Sequence, residues 1–336
     1  MVRYLNAVLA GDVGGTKTHL AVFSPGSGPW IPLAEATFSS RDYPGLEPMI
    51  REFLSSAEVA VDRASIGVAG PVFDGKARIT NLPWVLDEIE LAKNLGLASV
   101  KLLNDLLALA NAVSLLKGKD LHTLNPGRRD PEGSLAVIAP GTGLGAAYLT
   151  WSGTCYRAFP SEGGHADFAP ADSTQAGLLA YMTERYGHVS WERVCSGIGL
   201  LNIYAYLKES GLANEPAWLA QKLASADDPI PEMAKVAMDP GNPCSICRET
   251  FEIFLSILGS VSGNIALQMM STGGLYLGGG IPPRILELLQ NGVFMRSFLN
   301  KGRMSGLMGR IPVYVILNQN AALIGAACHG MGILER

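Results

Sequence analysis

The sequence has little cysteine and little charge. Its five cysteines among 336 residues (Cys155, Cys195, Cys244, Cys247 and Cys328) are odd in number and scattered. That excludes a disulfide framework and suits a reducing compartment. Cys244-Ser-Ile-Cys247 is a lone C-x-x-C, supplying two of the four ligands that a structural zinc takes. Charged residues make up 17% of the chain and the formal net charge is −4. No electrostatic case exists for nucleic acid or an anionic membrane as partner. Apolar residues make up 48%, too many for a disordered chain. No uncharged apolar run approaches the ~20 residues that span a bilayer. Near the N-terminus Arg3 leads straight toward a strand, with no signal-peptide pattern. The expectation is a soluble, cytoplasmic protein of about two domains.

What is present is glycine in particular places. Leu9 to Phe23 reads LAGDVGGTKTHLAVF. A P-loop needs a glycine just before the lysine and a helix after it. Here Thr16 precedes Lys17, and small or polar residues then alternate with apolar ones, which is a strand pattern. The stretch reads as strand, glycine turn, strand. Leu135 to Leu149, LAVIAPGTGLGAAYL, repeats that architecture about 130 residues on. Between them, strands at Leu33–Ser39, Ala64–Val68 and Val100–Leu103 alternate with helical spacing at Leu46–Ser56 and Trp84–Leu95. This is the signature of an α/β sheet domain. Beyond Cys195 the pattern is mostly helical: an excursion over Leu212–Asp239 and a long apolar helix over Phe251–Met270. A strand at Leu275–Leu277 runs into three glycines. A helix restarts over Arg284–Gln290, a last strand covers Val313–Leu317, and Asn320–Gly330 is a helix of small residues suited to close packing.

Five features can carry chemistry. Backbone N–H groups around Gly14 and Gly15 can form an anion-binding nest, with Thr16 and Lys17 as further donors. Asp12 stands where it could reach Mg²⁺, which uses one or two carboxylates plus substrate phosphates. A plain glycine hairpin with a capping Asp accounts for the same residues. Gly141, Thr142 and Gly143 repeat the nest. Asn104 and Asp105 follow a strand at the sheet edge where α/β proteins bind ligands. There Asp105 is equally a helix N-cap. Glu162 and His165 lie three apart around a glycine pair, able to bind sugar hydroxyls. The same spacing suits a metal pair, for which no further ligand is in view. Gly278, Gly279 and Gly280 would let backbone approach a flat ligand such as adenine.

The ordered series DVGGTKT, GVAGPV, ITNLPW, LLNDL, APGTGLG, SEGGHADFAP, WERVCSGIGL and LGGGI closely resembles the bacterial-type glucokinases, of the hexokinase, actin and heat-shock ATPase superfamily. The resemblance runs from about Leu9 to Gly325. It implies two ribonuclease-H-like α/β domains with an interdomain cleft, divided as 1–104 plus 319–336 and 105–318. It implies ATP-dependent phosphorylation of D-glucose on its 6-hydroxyl with MgATP, by a homodimer. Carried over residue by residue, Asp105 becomes the catalytic base. Asn104, Asp105, Glu162, His165 and Glu192 hold the sugar. Asp12 takes the magnesium, Gly14, Gly15, Thr16 and Lys17 form the first phosphate loop, and Gly141, Thr142 and Gly143 the second. Gly278, Gly279 and Gly280 face adenosine. Relatives in the repressor-and-kinase group carry a cysteine-rich zinc motif after the histidine. Here Asp167-Phe168-Ala169-Pro170 follows, so His165 reads as a sugar ligand. The rivals are a kinase for mannose, fructose or an N-acetylhexosamine, and an actin-like ATPase or sugar-binding regulator.

Overall fold

The computed structural model describes residues 2–3, 6–241 and 244–332. The chain divides into two compact units: residues 1–120, 149–160 and 318–336 form the first, and residues 121–148 and 161–317 the second.

The first unit is built on five strands, β1 (Val8–Val13), β2 (Lys17–Phe23), β3 (Ala34–Ser39), β4 (Arg63–Val68) and β5 (Ser99–Asn104), in the order β5-β4-β1-β2-β3. β5, β4 and β1 run parallel, and β1, β2 and β3 form an antiparallel meander. Strand side chains alternate between faces, and here both faces are covered. Leu9 and Val13 join Ile66 and Val68 in a core closed by Met49, Ile50 and Phe53 of α1 (Leu46–Ala57). Val8 and Ala10 face the other way, toward Ala108 of α3 (Asp105–Val113) and Leu323 and Ala327 of the C-terminal helix Ala321–Gly330. The small residues of that last helix permit the close packing expected of them. A Cβ placed on Gly325 would lie 1.8 Å from the Ala108 carbonyl oxygen.

The second sheet has six strands: β6 (Leu121–Asn125), β7 (Leu135–Pro140), β8 (Leu144–Trp151), β9 (Tyr156–Ser161), β10 (Gly274–Leu277) and β11 (Val313–Ile316), of which the end of β8 and most of β9 count with the first unit. Their order is β6-β11-β10-β7-β8-β9. β7, β10 and β11 are parallel, with β6 antiparallel at the edge. Both sheets therefore set a glycine-tipped hairpin beside parallel strands, which gives the sequence repeat a structural counterpart. Helices α4 (Ser173–Tyr186), α5 (Gly197–Glu209), α6 (Ala217–Ala224), α7 (Pro229–Met238) and α8 (Ser245–Gln268) pack in the second unit. By length and composition alone α8 could cross a membrane. Instead its Phe251, Phe254, Leu255 and Leu258 are buried in the core with Leu275, Leu277, Val313 and Val315.

Several boundaries differ from expectation. The expected helix over Trp84–Leu95 is a short strand, Val85–Asp87, followed by α2 (Glu88–Leu95). The Asp87 carboxylate accepts the N–H groups of Ile89 and Glu90, so the helix starts there. The Leu212–Asp239 excursion holds two helices, α6 and α7, and the long apolar helix begins at Ser245. Arg284–Gln290 is a 3₁₀ turn followed by a single helical turn. Residues up to Asp120 belong to the first unit, where α3 packs against the C-terminal helix and β4.

Candidate active site

In the first unit the β1–β2 hairpin turns through Gly14, Gly15 and Thr16, with Asp12 opposite His19. The Gly14 N–H donates to the Lys17 carbonyl (2.9 Å). Ser40 staples the turn from outside: its hydroxyl donates to the Gly14 carbonyl (2.8 Å) and its N–H to the Thr16 carbonyl (2.9 Å). Thr18 Oγ1 lies 2.9 Å from Ser40 Oγ, and both residues are buried. Thr16 and Lys17 are exposed at the tip.

The β5–α3 junction supplies the next pair. Asn104, not Asp105, is the N-cap: its Oδ1 accepts the Leu106 N–H (3.0 Å) while Nδ2 donates to the Gly70 carbonyl (3.1 Å). Asp105 is the first helical residue, and its Oδ1 also accepts the Leu106 N–H, at 2.8 Å. Desolvation raises the Asp105 pKa above the ordinary carboxylate range, opposed by the bonds from Leu106 and Asn104. The residue is nonetheless exposed to solvent. Asp12 is pushed up to about 6, by burial first and then by the negative charge of Asp105. Two carboxylates that repel one another are a donor set that a divalent cation would relieve.

In the second unit, β7 ends at the turn Gly141–Thr142–Gly143, whose Gly141 N–H donates to the Gly143 carbonyl (2.8 Å). The neighbouring parallel strand β10 ends at Gly278–Gly279–Gly280. There the Gly278 N–H donates to the Ile138 carbonyl (2.9 Å) and the Ile281 N–H to the Pro140 carbonyl (3.3 Å), so the two glycine loops lie side by side. Sequence reasoning missed the start of α5 beside them. The Gly197 N–H donates to the Gly141 carbonyl (2.8 Å), and the Ser196 hydroxyl caps the helix on the Gly199 N–H (3.1 Å). A helix N-terminus adds its dipole to an anion site. Ser196, immediately ahead of a helix that opens Gly197-Ile198-Gly199, was the available signal.

Glu162, His165 and Glu192 also come together. His165 Nε2 lies 3.8 Å from Glu162 Oε2, and His165 Nδ1 4.0 Å from Glu192 Oε1. The other Glu192 oxygen accepts the Leu144 N–H (3.0 Å) at the start of β8. Glu162 is 82% exposed and His165 62%, so both can reach a ligand. Nearby, His188 Nε2 lies 2.8 Å from Asp167 Oδ1, a pair the sequence reading did not single out. Among the described residues no group of three or more His, Cys, Asp or Glu side chains is placed to hold a metal ion. Cys244 and Cys247 are buried at the start of α8, where burial holds the Cys247 thiol up at about 12.

Paired glycine hairpins, a carboxylate at a sheet edge and a cluster of two glutamates and a histidine accompany the fold of an actin-like ATPase-type sugar kinase. The model of the Glucokinase family matches residues 9–332, and the chain belongs to that family. It is 38% identical over 336 residues to a glucokinase of Nostoc punctiforme, covering 96% of this chain and 98% of that protein. Among solved structures it is similar to the glucokinase of an Antarctic psychrotroph: TM-score 0.83, 31% identity, 97% of this chain and 99% of that one covered. A Streptomyces griseus glucokinase of the ROK family, solved with glucose and AMPPNP, shares the fold with TM-score 0.61 at 20% identity, over 96% of this chain and 98% of that one.

Proposed function

We propose that this protein transfers the γ-phosphoryl group of ATP to the 6-hydroxyl of D-glucose, with Asp105 as general base. The observation that carries this reading is Glu192, which joins the Glu162–His165 cluster to the Gly141–Gly143 turn through the Leu144 N–H. Sugar-type ligands and a phosphate nest are thereby built as one piece. The chain's membership of the Glucokinase family agrees with it.

In this mechanism Glu162, His165, Glu192 and Asn104 hold the sugar hydroxyls and Asp105 takes the proton of the 6-hydroxyl. As the hydroxyl oxygen bonds to the γ-phosphorus, the bond from phosphorus to the bridging oxygen breaks and ADP leaves. The work is positioning and charge stabilisation. The Gly14 and Gly141 N–H groups already close their own turns, so the donors left for phosphate oxygens are the Gly15 N–H, Thr16 and Lys17 in the first loop, and the Thr142 and Gly143 N–H groups in the second. Gly278, Gly279 and Gly280 give the adenosine a flat backbone surface. Asp12, whose carboxylate is destabilised by burial and then by the charge of Asp105, would hold Mg²⁺ entering with the triphosphate. That ion neutralises phosphate charge when bound. Lys17 adds a mobile ammonium at the same loop.

The reading includes a cytoplasmic homodimer. No disulfide forms among the described residues, and Leu212 and Trp218 are exposed apolar side chains suited to a partner surface. Sedimentation analysis checks the dimer. The central experiment compares MgATP consumption with and without glucose, then across mannose, fructose and N-acetylglucosamine. ATP hydrolysis equally fast without sugar would overturn the kinase assignment, and a faster rate on another hexose would reassign the substrate.

A further inference from the structure

Outside these loops the second unit holds a cavity of about 350 Å³ that none of the chemistry above uses. That volume is in the range of small-molecule sites, which run from about 300 to 1,000 Å³. Arg128, Arg129 and Arg310 line it, with Asp130, Thr272 and Leu307. Three guanidinium groups stand against one carboxylate.

The carboxylate is already engaged. Asp130 Oδ2 accepts the Thr272 hydroxyl (3.1 Å), and Oδ1 accepts the Glu132 N–H (3.2 Å). Among the described residues, none of the three arginines has a carboxylate within 4.0 Å. The cavity therefore carries a surplus of two positive charges that the fold leaves unneutralised.

The loop bearing Arg128 and Arg129 is fixed at both ends. The Arg128 N–H donates to the Arg310 carbonyl (2.7 Å), and the Asp130 N–H to the Thr272 carbonyl (3.0 Å). Asn125 Nδ2 donates to the carbonyls of Gly309 (3.2 Å) and Ile311 (2.6 Å). Gly127, at φ +49°, allows the approach: a Cβ there would lie 2.5 Å from the Arg310 carbonyl oxygen. Arginines on a pinned loop lose less freedom on binding than arginines on a loose one.

We propose that this cavity is a binding site for a small soluble phosphate ester, a dianion recognised by Arg128, Arg129 and Arg310. Guanidinium groups pair with phosphate in bidentate fashion, and two surplus charges match a phosphomonoester at neutral pH. The volume exceeds what a bare phosphate fills, leaving room for an organic portion against Leu307. The site lies where β7, β10 and β11 begin, opposite the ends that carry Gly141–Gly143 and Gly278–Gly280. It is thus distinct from the phosphate nests of the kinase reading.

The test is isothermal titration calorimetry on the full chain, with sn-glycerol 3-phosphate and inorganic phosphate as probes. Saturating glucose and a non-hydrolysable ATP analogue are present to occupy the loops already described. The wild type should bind one glycerol 3-phosphate, more tightly than inorganic phosphate. The double variant Arg129→Ala/Arg310→Ala should weaken this at least 10-fold, since it removes two charge-assisted bonds. Leu307→Trp fills the cavity and keeps every charge, and should weaken it comparably. Equal affinity in the wild type and the double variant overturns the proposal, as does undiminished binding in Leu307→Trp, which would mean surface charge alone. Glucose phosphorylation without probe should be unchanged in all three proteins. Its absence from the wild type would count against the kinase reading and leave this site standing.

Discussion

Glu192 faces two directions at once: one oxygen accepts the Leu144 N–H at 3.0 Å, and the other lies 4.0 Å from His165 Nδ1. On the proposed reading, a residue so placed serves the sugar and the second phosphate turn together. Glu192→Ala leaves the Leu144 N–H without its partner, at a cost of about 1–3 kcal/mol. We expect the KM values for glucose and for MgATP both to rise, by about 10-fold. Glu162→Gln and His165→Ala should raise the glucose KM alone. Steady-state kinetics over both substrates separates the cases, and an unchanged MgATP KM in Glu192→Ala would remove its link to the nest.

Asp105→Asn keeps the shape of the side chain and the bond from Leu106 while losing the base. General-base help is worth about 10²–10⁴-fold, so kcat should fall at least 100-fold while glucose binding stays measurable. A variant that retains a tenth of the wild-type kcat would show that another group takes the proton.

Asp12 carries a raised pKa of about 6 against an ordinary 3.8, so the folded chain holds that proton more tightly than the unfolded chain does. Between those two values the folded state binds more protons, and stability falls as pH rises from about 4 through 6. Asp12→Asn abolishes the penalty. It should therefore melt a few degrees higher than the wild type at pH 7.5, with the difference vanishing below pH 4. It should also weaken magnesium-dependent ATP binding. A lower melting temperature at pH 7.5 would contradict the strained-carboxylate account.

Gly325→Ala sets a methyl group into the Ala108 carbonyl of α3, where a Cβ would lie 1.8 Å away. Overpacking costs about 1–3 kcal/mol or more. We expect a clear drop in melting temperature. Activity should suffer too, because Asp105 begins the helix that would be displaced. A calorimetric scan of the variant decides it, and an unshifted melt would mean that the two helices separate freely.

Features that repeat along the chain were legible in the sequence. The first hairpin showed in the alternation after Lys17 and the second in the same strand, glycine turn, strand architecture, and the Asn104–Asp105 junction showed in a strand running directly into a helical face. Contacts between distant segments were not. Nothing in the sequence around Ser40 says that it bonds Gly14, 26 residues earlier. Glu192 was reachable only through the family resemblance, since its hydrogen bond spans 48 residues. Trp84 is buried and apolar, so it blended into the helix behind it, and only the Asp87 cap marks the true start. The charge excess at Arg128, Arg129 and Arg310 is split by about 180 residues of chain and is invisible to any local window.

Ser40 has a consequence for the polarity of the loop it touches. A peptide turn presents as many carbonyl oxygens as N–H groups, and an anion is repelled by the former. In the first hairpin the carbonyls of Gly14, Thr16 and Lys17 each already accept a hydrogen bond, two from Ser40 and one from Gly14. The negative ends of the loop are thus turned inward and satisfied by the protein itself. What the loop offers outward is a surface of mostly positive sign, made from uncharged backbone and fixed before any ligand arrives.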